Sequence, residues 1–293
     1  MKSTSLKISR DPERNSNASS NPHRYLSMRI HLLDRFSLIV KRIPLPVREW
    51  VIRLILLTMI LLLLLQLGLD VTFMMQWTGF LLSLTPLVVL IAVAALALAL
   101  PLAATLTLGR LSINPIARGS AAMFVSIVRG TPLIIQLFFI FVALPQLASV
   151  GPDWIQKLLV LSPTLTAILA IGFFHAAYIS ELFRAGFLSV QPGQWEAASA
   201  IGMSASQTKR RIIWPQAMKF ALRPTTNHFV MMLKDTALVG FLGVPILFQR
   251  AERIGSQNLN LFETLLISAV IYWALTAISL KVIDVIDRRV FSQ

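Results

Sequence analysis

Apolar residues run in long stretches through most of this chain, broken by short polar connections. A helix needs roughly 20 apolar residues to cross about 30 Å of hydrocarbon. Runs at 51–69, 79–108, 114–144, 163–182, 229–248 and 261–283 approach or exceed that length. The pattern predicts an all-α integral membrane protein with about six transmembrane helices. In the second run the alanine-rich stretch AVAALALALPLAA supplies small side chains that let helix backbones approach closely in lipid, and Pro101 is positioned to kink it. Asn114-Pro115 and Ser162-Pro163 each pair a capping side chain with a proline suited to the first helical position, so both read as helix starts. Arg129-Gly130-Thr131-Pro132 interrupts the third run.

The first 50 residues differ in kind. Residues 1 to about 24 are rich in Ser, Asn, Pro and charge, a composition that buries too little apolar surface to order itself. From Tyr25 to Trp50, apolar pairs such as Leu32-Leu33 alternate with Arg29, Arg35, Lys41 and Arg42. That suits either a basic amphipathic segment on anionic lipid headgroups or a solvated leader. The expected organisation is a cytoplasmic basic leader at 1–50, partly disordered, an extra N-terminal helix at 51–69, and a membrane domain at 78–290 containing a polar loop at 189–217. The leader is too long for the n-region of a signal peptide, so the first span is expected to be retained.

Charge sharpens the topology. The chain has 293 residues, 56% hydrophobic and 14% charged, with a formal net charge of +14. A soluble domain carries roughly a quarter charged residues. Eleven of the 27 lysines and arginines lie in residues 1–53, against Asp11, Glu13, Asp34 and Glu49, a distribution that points to membrane topology rather than nucleic-acid binding. With six spans, the leader, the turn holding Arg110 and Arg118, the loop at 189–217 and Arg288-Arg289 fall on one side, which the positive-inside rule makes cytoplasmic. The opposite connections, around Asp70, around Asp153 and Lys157, and around Arg250, Glu252 and Arg253, are nearly balanced in charge. Both termini are then expected in the cytoplasm.

The loop carries the most specific pattern: Glu196-Ala197-Ala198, then Gly202, then Ile212 and Pro215. Pro192-Gly193 marks a turn, residues 194–201 suit a short helix stopped at Gly202, and Ser204 with Gln207 has capping-box spacing. A second short helix, Gln207 to Ile213, is expected to end at Trp214-Pro215. This spacing resembles the EAA loop of bacterial ABC importer permeases. RGTPLIIQLFF from Arg129, AAYISELFRAGFLSVQPGQWEAA from Ala176 and KDTALVG from Lys234 resemble the polar amino acid permease branch, the histidine and glutamine permease type. The likeness covers about residues 78–290.

The resemblance implies a five-helix core in the inner membrane that imports amino acids, polar or charged, with the helix at 51–69 as an addition that moves the N-terminus to the cytoplasm. It implies a coupling helix that docks on a cytoplasmic ABC ATPase dimer. Glu196 would make the polar contact, Ala197 and Ala198 would permit close approach, Gly202 would set the bend, and Ile212 with Pro215 would anchor the knob. A second permease subunit, identical or similar, and an extracytoplasmic substrate-binding protein would complete the assembly. Two departures bear on cargo rather than coupling: His175 stands where the branch often has a small or amide residue before the Ala-Tyr step, and the second apolar run is richer in alanine than usual; within the loop itself, Trp214 stands where the family usually has leucine.

Charges at bilayer depth are costly and line aqueous paths or pair with one another. Arg129 or Lys234 suits the carboxylate of a zwitterionic substrate, Glu181 or Asp235 its ammonium, and Tyr178 could add a hydroxyl or an aromatic wall. The alternative is fixed ion pairing, favoured for Glu181 and Arg184, while His175 and His228 read as packed or capping residues rather than ligands. The chain lacks GxxxxGK[ST], HExxH and GxSxG, has no cysteine, and scatters its four histidines. It is therefore expected to be no enzyme and to bind no cofactor or metal, with ATP and magnesium used by the partner. A membrane-embedded enzyme using Glu181, His175 and Asp235, or a gradient-driven transporter, is the rival reading; the latter usually shows repeated halves, and no convincing repeat is present.

Overall fold

The computed structural model describes residues 44–152, 154–155 and 159–291. Residues 1–43 of the expected leader, and Asp153 and Lys157 of one expected connection, lie outside them. The chain divides into two units, Met1–Leu69 and Asp70–Gln293. In the first, α1 spans Leu45–Gln66, starting six residues before the expected run. Pro46 sits in its first turn, where a missing N–H costs nothing. Its apolar side chains, Leu54, Leu57 and Leu65 among them, are exposed within that unit, as suits a lipid-facing helix.

The second unit holds α2 (Val71–Leu82), α3 (Thr85–Arg110), α4 (Pro115–Gly130), α5 (Leu133–Phe138), α6 (Leu144–Ala148), α7 (Pro163–Ser189), α8 (Pro192–Ala200), α9 (Ala205–Thr208), α10 (Trp214–Asp235), α11 (Leu247–Asn258) and α12 (Leu261–Phe291). Among the described residues of this unit, three stretches are long and apolar enough to cross a membrane: Val71–Arg110, Pro163–Ser189 and Leu261–Arg288. The number rises to five if each of two bent helix pairs is one span.

Close packing of α3 on α7 forms the centre. Val88, Ile91, Ala92, Ala95, Ala99 and Ala103 recur at helical spacing and are fully buried. Facing them are Ala167, Ala170, Ile171 and Ala176, so small side chains set the approach. Thr107 donates to the Ser180 carbonyl at 3.0 Å, a hydrogen bond between the two helices. α10 also packs on α7, where Gly186 leaves no room for a Cβ against the Ala217 carbonyl.

Both expected cap-and-proline starts are present. Asn114 Oδ1 accepts from Ile116 N at 2.9 Å, and Ser162 Oγ accepts from Leu165 N at 3.3 Å. The third apolar run is not one straight span: Thr131 is extended before Pro132, and α4 meets the following helix at 108°. Gln136 Nε2 donates to Val128 O, Thr131 O and Thr131 Oγ1, satisfying backbone acceptors that the break opens.

The expected fifth span at 229–248 needs correction. α10 begins at Trp214, runs through Pro224 to Asp235, continues as a 3-10 turn over Thr236–Leu242 and stops at Gly243, φ +79°. Arg250, Glu252 and Arg253, expected in a short connection, belong to α11, which bends 51° from that helix. The stop comes from a left-handed glycine and Pro245, whereas hydropathy alone cannot place it. α12 likewise outruns the expected 261–283, because its last turns are amphipathic rather than apolar.

Candidate functional site

The loop at 189–217 is built from local hydrogen bonds. α8 ends in a Schellman motif: Met203 N–H donates to Ala198 O at 3.0 Å, and Gly202 takes φ +78°, a conformation that costs a side-chain-bearing residue energy. The next helix starts immediately. Ser204 Oγ accepts from Gln207 N at 3.3 Å and Gln207 Oε1 accepts from Ser204 N at 2.9 Å, the complete capping box.

The expected break at Trp214-Pro215 does not occur. Residues Lys209–Ile213 widen into a π turn, in which Trp214 N–H reaches Lys209 O, and the helix continues past Pro215. The wider turn accommodates a ring that would otherwise crowd the preceding carbonyls. The same device recurs before Pro145, where Leu144 N–H reaches Phe139 O. Knob and α10 are consequently parts of one helical stretch, Ala205–Leu242.

Among the residues expected to couple, Glu196, Ala197, Gly202 and Pro215 are exposed, Ile212 is half-buried and Ala198 is buried. Ala198 thus faces inward rather than offering approach to a partner. Behind the knob, Val190, Ile213 and Ala217 form a small apolar cluster with Phe187, Trp195 and Ile212. Phe187 stacks edge-on to Trp214 at 5.2 Å, giving the indole a packing role.

The second region lies along α7, whose His175, Tyr178 and Glu181 share a face at intervals of three residues. Glu181 accepts from Arg110 and from Arg184 Nε at 3.0 Å, and Arg129 Nη1 forms an ion pair with it at 3.2 Å. Three guanidinium groups around one carboxylate leave a surplus of positive charge. Arg129 also stands 5.2 Å from the centre of the Tyr178 ring, within cation–π range. A cavity of about 360 Å³ opens here, lined by Arg110, Ser126, Arg129, Gly130, Tyr178 and Glu181.

Beyond Tyr178 lies a second polar group. His175, with no exposed surface, contacts Asp235 Oδ2 through Nε2 at 2.8 Å and His228 Nδ1 through Nδ1 at 3.1 Å. Tyr178 and His228 have ring centres 6.1 Å apart. The structure therefore brings Arg129, Tyr178, Glu181 and Asp235 to one side of α7. Lys234 is exposed and makes no ion pair among the described residues.

Sequence reasoning set Arg110 aside as a topological charge, and it read both histidines as packed or capping. The spacing held a signal for the latter. His228 and Asp235 lie seven positions apart on α10, two turns and one face, matching the face of α7 that carries His175.

Residues 99–292 match the family described as binding-protein-dependent transport system inner membrane component. The chain is similar to the probable amino-acid permease protein YxeN of Bacillus subtilis, 39% identical over 174 residues, covering 59% of this chain and 75% of that one. It is also similar to the L-cystine transport system permease protein TcyB of the same organism, 38% identical over 184 residues, 62% of this chain and 74% of that one. Among solved structures, a crystal structure of an amino acid ABC transporter with histidines aligns with TM-score 0.68 and 28% identity. It covers 75% of this chain and 99% of that chain.

Proposed function

Because the chain belongs to the family of binding-protein-dependent transport system inner membrane components, we propose that it is the membrane-spanning subunit of an ATP-driven importer of amino acids, polar or charged. It is a multi-pass membrane protein and a transport subunit rather than an enzyme; a separate ATPase subunit hydrolyses ATP with magnesium. Glu196 and Ala197 dock on that ATPase, and both termini lie on the same cytoplasmic side. A second copy or a similar permease completes the conduit, and a binding protein delivers cargo from the other side.

The observation that carries this reading is the continuity of Ala205–Leu242. From the knob to Asp235 the backbone is helical for about 45 Å at 1.5 Å per residue. A rigid-body displacement of the knob by a closing ATPase dimer therefore moves His228 and Asp235 against α7, where His175 and Tyr178 stand. Alternating access follows as a relative motion of two packed helices. Since Glu181 already holds three arginines, the substrate carboxylate meets Arg129 and the ammonium meets the Asp235 end.

Replacing the exposed Glu196 by lysine tests the docking role. Glu196→Lys is expected to abolish co-purification with the ATPase and ATP-dependent uptake while leaving the yield of folded permease unchanged. Uptake that persists in membranes stripped of every ATPase would overturn the reading.

A further inference from the structure

We propose that the cavity where the two central helices leave the membrane binds an anionic phospholipid, with an acyl chain between the ends of α3 and α7 and the phosphate against Lys209 and Arg118. This cavity, of about 690 Å³, lies beside the knob and shares no lining residue with the one on the polar face of α7. The proposal goes beyond the importer reading and depends on neither cargo nor ATPase.

The walls set the depth. Both membrane-crossing stretches, Val71–Arg110 and Pro163–Ser189, end here, and Leu108, Leu111, Phe187 and Leu188 at those ends line the cavity together with Trp195 of α8. Tryptophan suits the boundary between hydrocarbon and water because its ring is amphipathic. Leu108 and Leu188 are 57% and 65% exposed, and Ile113, in the turn after α3, is 93% exposed. Water in such a concavity would leave this lining hydrated, whereas an acyl chain entering from the adjoining bilayer buries it.

The rim selects the headgroup. Ser112 and Lys209 line it, and Arg118 donates from Nη1 to the Ser112 carbonyl at 3.5 Å, which brings a second cation to the same edge. Segments 105–128 and 182–217, which form the walls, carry six basic residues against one acid, Glu196. Glu181 holds Arg110 and Arg184, leaving Arg118, Lys209, Arg210 and Arg211, all exposed, to make this region positive. Neither Arg118 nor Lys209 pairs with a carboxylate among the described residues. A positive rim over apolar walls complements a phosphate diester that carries acyl chains, as in other basic pockets between membrane helices. A zwitterionic lipid fits less well, because its own ammonium meets the same rim.

The test uses the full chain in detergent with lipid added in mixed micelles, read by native mass spectrometry and by the shift of the thermal unfolding midpoint. The probes are dioleoylphosphatidylglycerol, dioleoylphosphatidylcholine and inorganic phosphate. The protein is expected to retain one phosphatidylglycerol and to be stabilised by it, while the other two probes do neither. Lys209→Gln combined with Arg118→Gln should bind phosphatidylglycerol about thirty-fold more weakly, roughly five-fold for each basic residue removed. Lys219→Gln combined with Arg288→Gln removes two exposed basic residues that do not line the cavity and should leave retention unchanged. Equal retention of the two lipids, or an equal loss in the second pair of substitutions, would overturn the site and leave only a general attraction of basic helix ends for anionic lipid. Stabilisation by inorganic phosphate equal to that by the lipid would overturn the acyl-chain seat. An unchanged lipid affinity in Lys209→Gln, Arg118→Gln, accompanied by lost ATPase co-purification or a changed oligomeric mass, would assign the surface to a protein partner instead.

Discussion

In the loop at 189–217, the hydrogen bonds that shape the turn join near neighbours: Met203 to Ala198, Ser204 to Gln207. On the polar face of α7, Glu181 binds Arg110 across 71 positions and His175 binds Asp235 across 60. The loop is a self-contained turn, whereas the polar face exists only once α3, α4, α7 and α10 have packed. Damage to the first should uncouple the transporter while leaving it folded; damage to the second should unfold it or empty the site. α10 belongs to both, and the two differ most where it meets α7.

The largest effect is expected at Glu181. Removing one partner of a buried ion pair strands the rest, at a cost of about 3–5 kcal/mol; with 19% of the side chain exposed, the lower end applies. Glu181→Ala leaves Arg110, Arg129 and Arg184 facing one another. The expected outcome is a destabilisation of about 3 kcal/mol, seen as loss of monodisperse protein in detergent. A variant as stable as wild type would mean that the arginines are already solvated, and that this region behaves like the loop.

Next comes Gly186, at the join. A Cβ there would strike the Ala217 carbonyl and approach Ala221 Cβ at 3.4 Å, forcing α7 from α10. Gly186→Val is expected to cost about 1–3 kcal/mol, the usual range for overpacking. It should also depress coupling, because Ala217 lies in the apolar cluster behind the knob. Unfolding in urea and nucleotide-dependent uptake read the two effects separately. A loss of stability without a loss of coupling would show that the knob does not depend on its seat against α7.

These distances also decide what was legible before folding. Asn114, Ser162, Gly202 and the Ser204–Gln207 box were readable because each is satisfied within six residues, and so was the break at Arg129-Gly130-Thr131-Pro132. The π turns before Pro145 and Pro215 were not, since a proline by rule ends a helix and only the geometry of the preceding turn excuses it. Arg110 was legible as a basic residue near a helix end but not as a partner of Glu181, which requires the packing of α3 on α7. His175 and His228 were legible as packed residues but not as partners of each other and of Asp235, because those partners lie on different helices.

Within the loop, Gly202 should matter more than its neighbours. At φ +78° a Cβ meets its own backbone, and the left-handed conformation costs a residue such as alanine roughly 1–2 kcal/mol. Space is not the issue, because nothing lies within 4 Å of the added atom. Gly202→Ala is therefore expected to loosen the turn between α8 and α9 without altering global unfolding. Amide exchange at Met203 should quicken, and ATPase co-purification should weaken.

The smallest expected effect, and the cleanest measure of how local the loop is, comes from Ser204→Ala. It removes the hydroxyl that accepts from Gln207 N–H and leaves Gln207 free to keep or abandon its bond to Ser204 N–H. Loss of a capping serine costs about 0.5–2 kcal/mol, with exposed sites at the low end, and Ser204 is exposed. If the box only finishes a local turn, exchange should quicken over 204–208 alone, and transport should fall less than in Gly202→Ala. If the box also registers the long helix Ala205–Leu242, the perturbation should reach His228 and Asp235, about 35 to 45 Å along the axis at 1.5 Å per residue. Stabilisation by added amino acid, read beside local exchange as a shift of the thermal unfolding midpoint, separates these outcomes: an unchanged shift keeps the two regions independent, and a diminished one makes α10 a lever that begins at its cap.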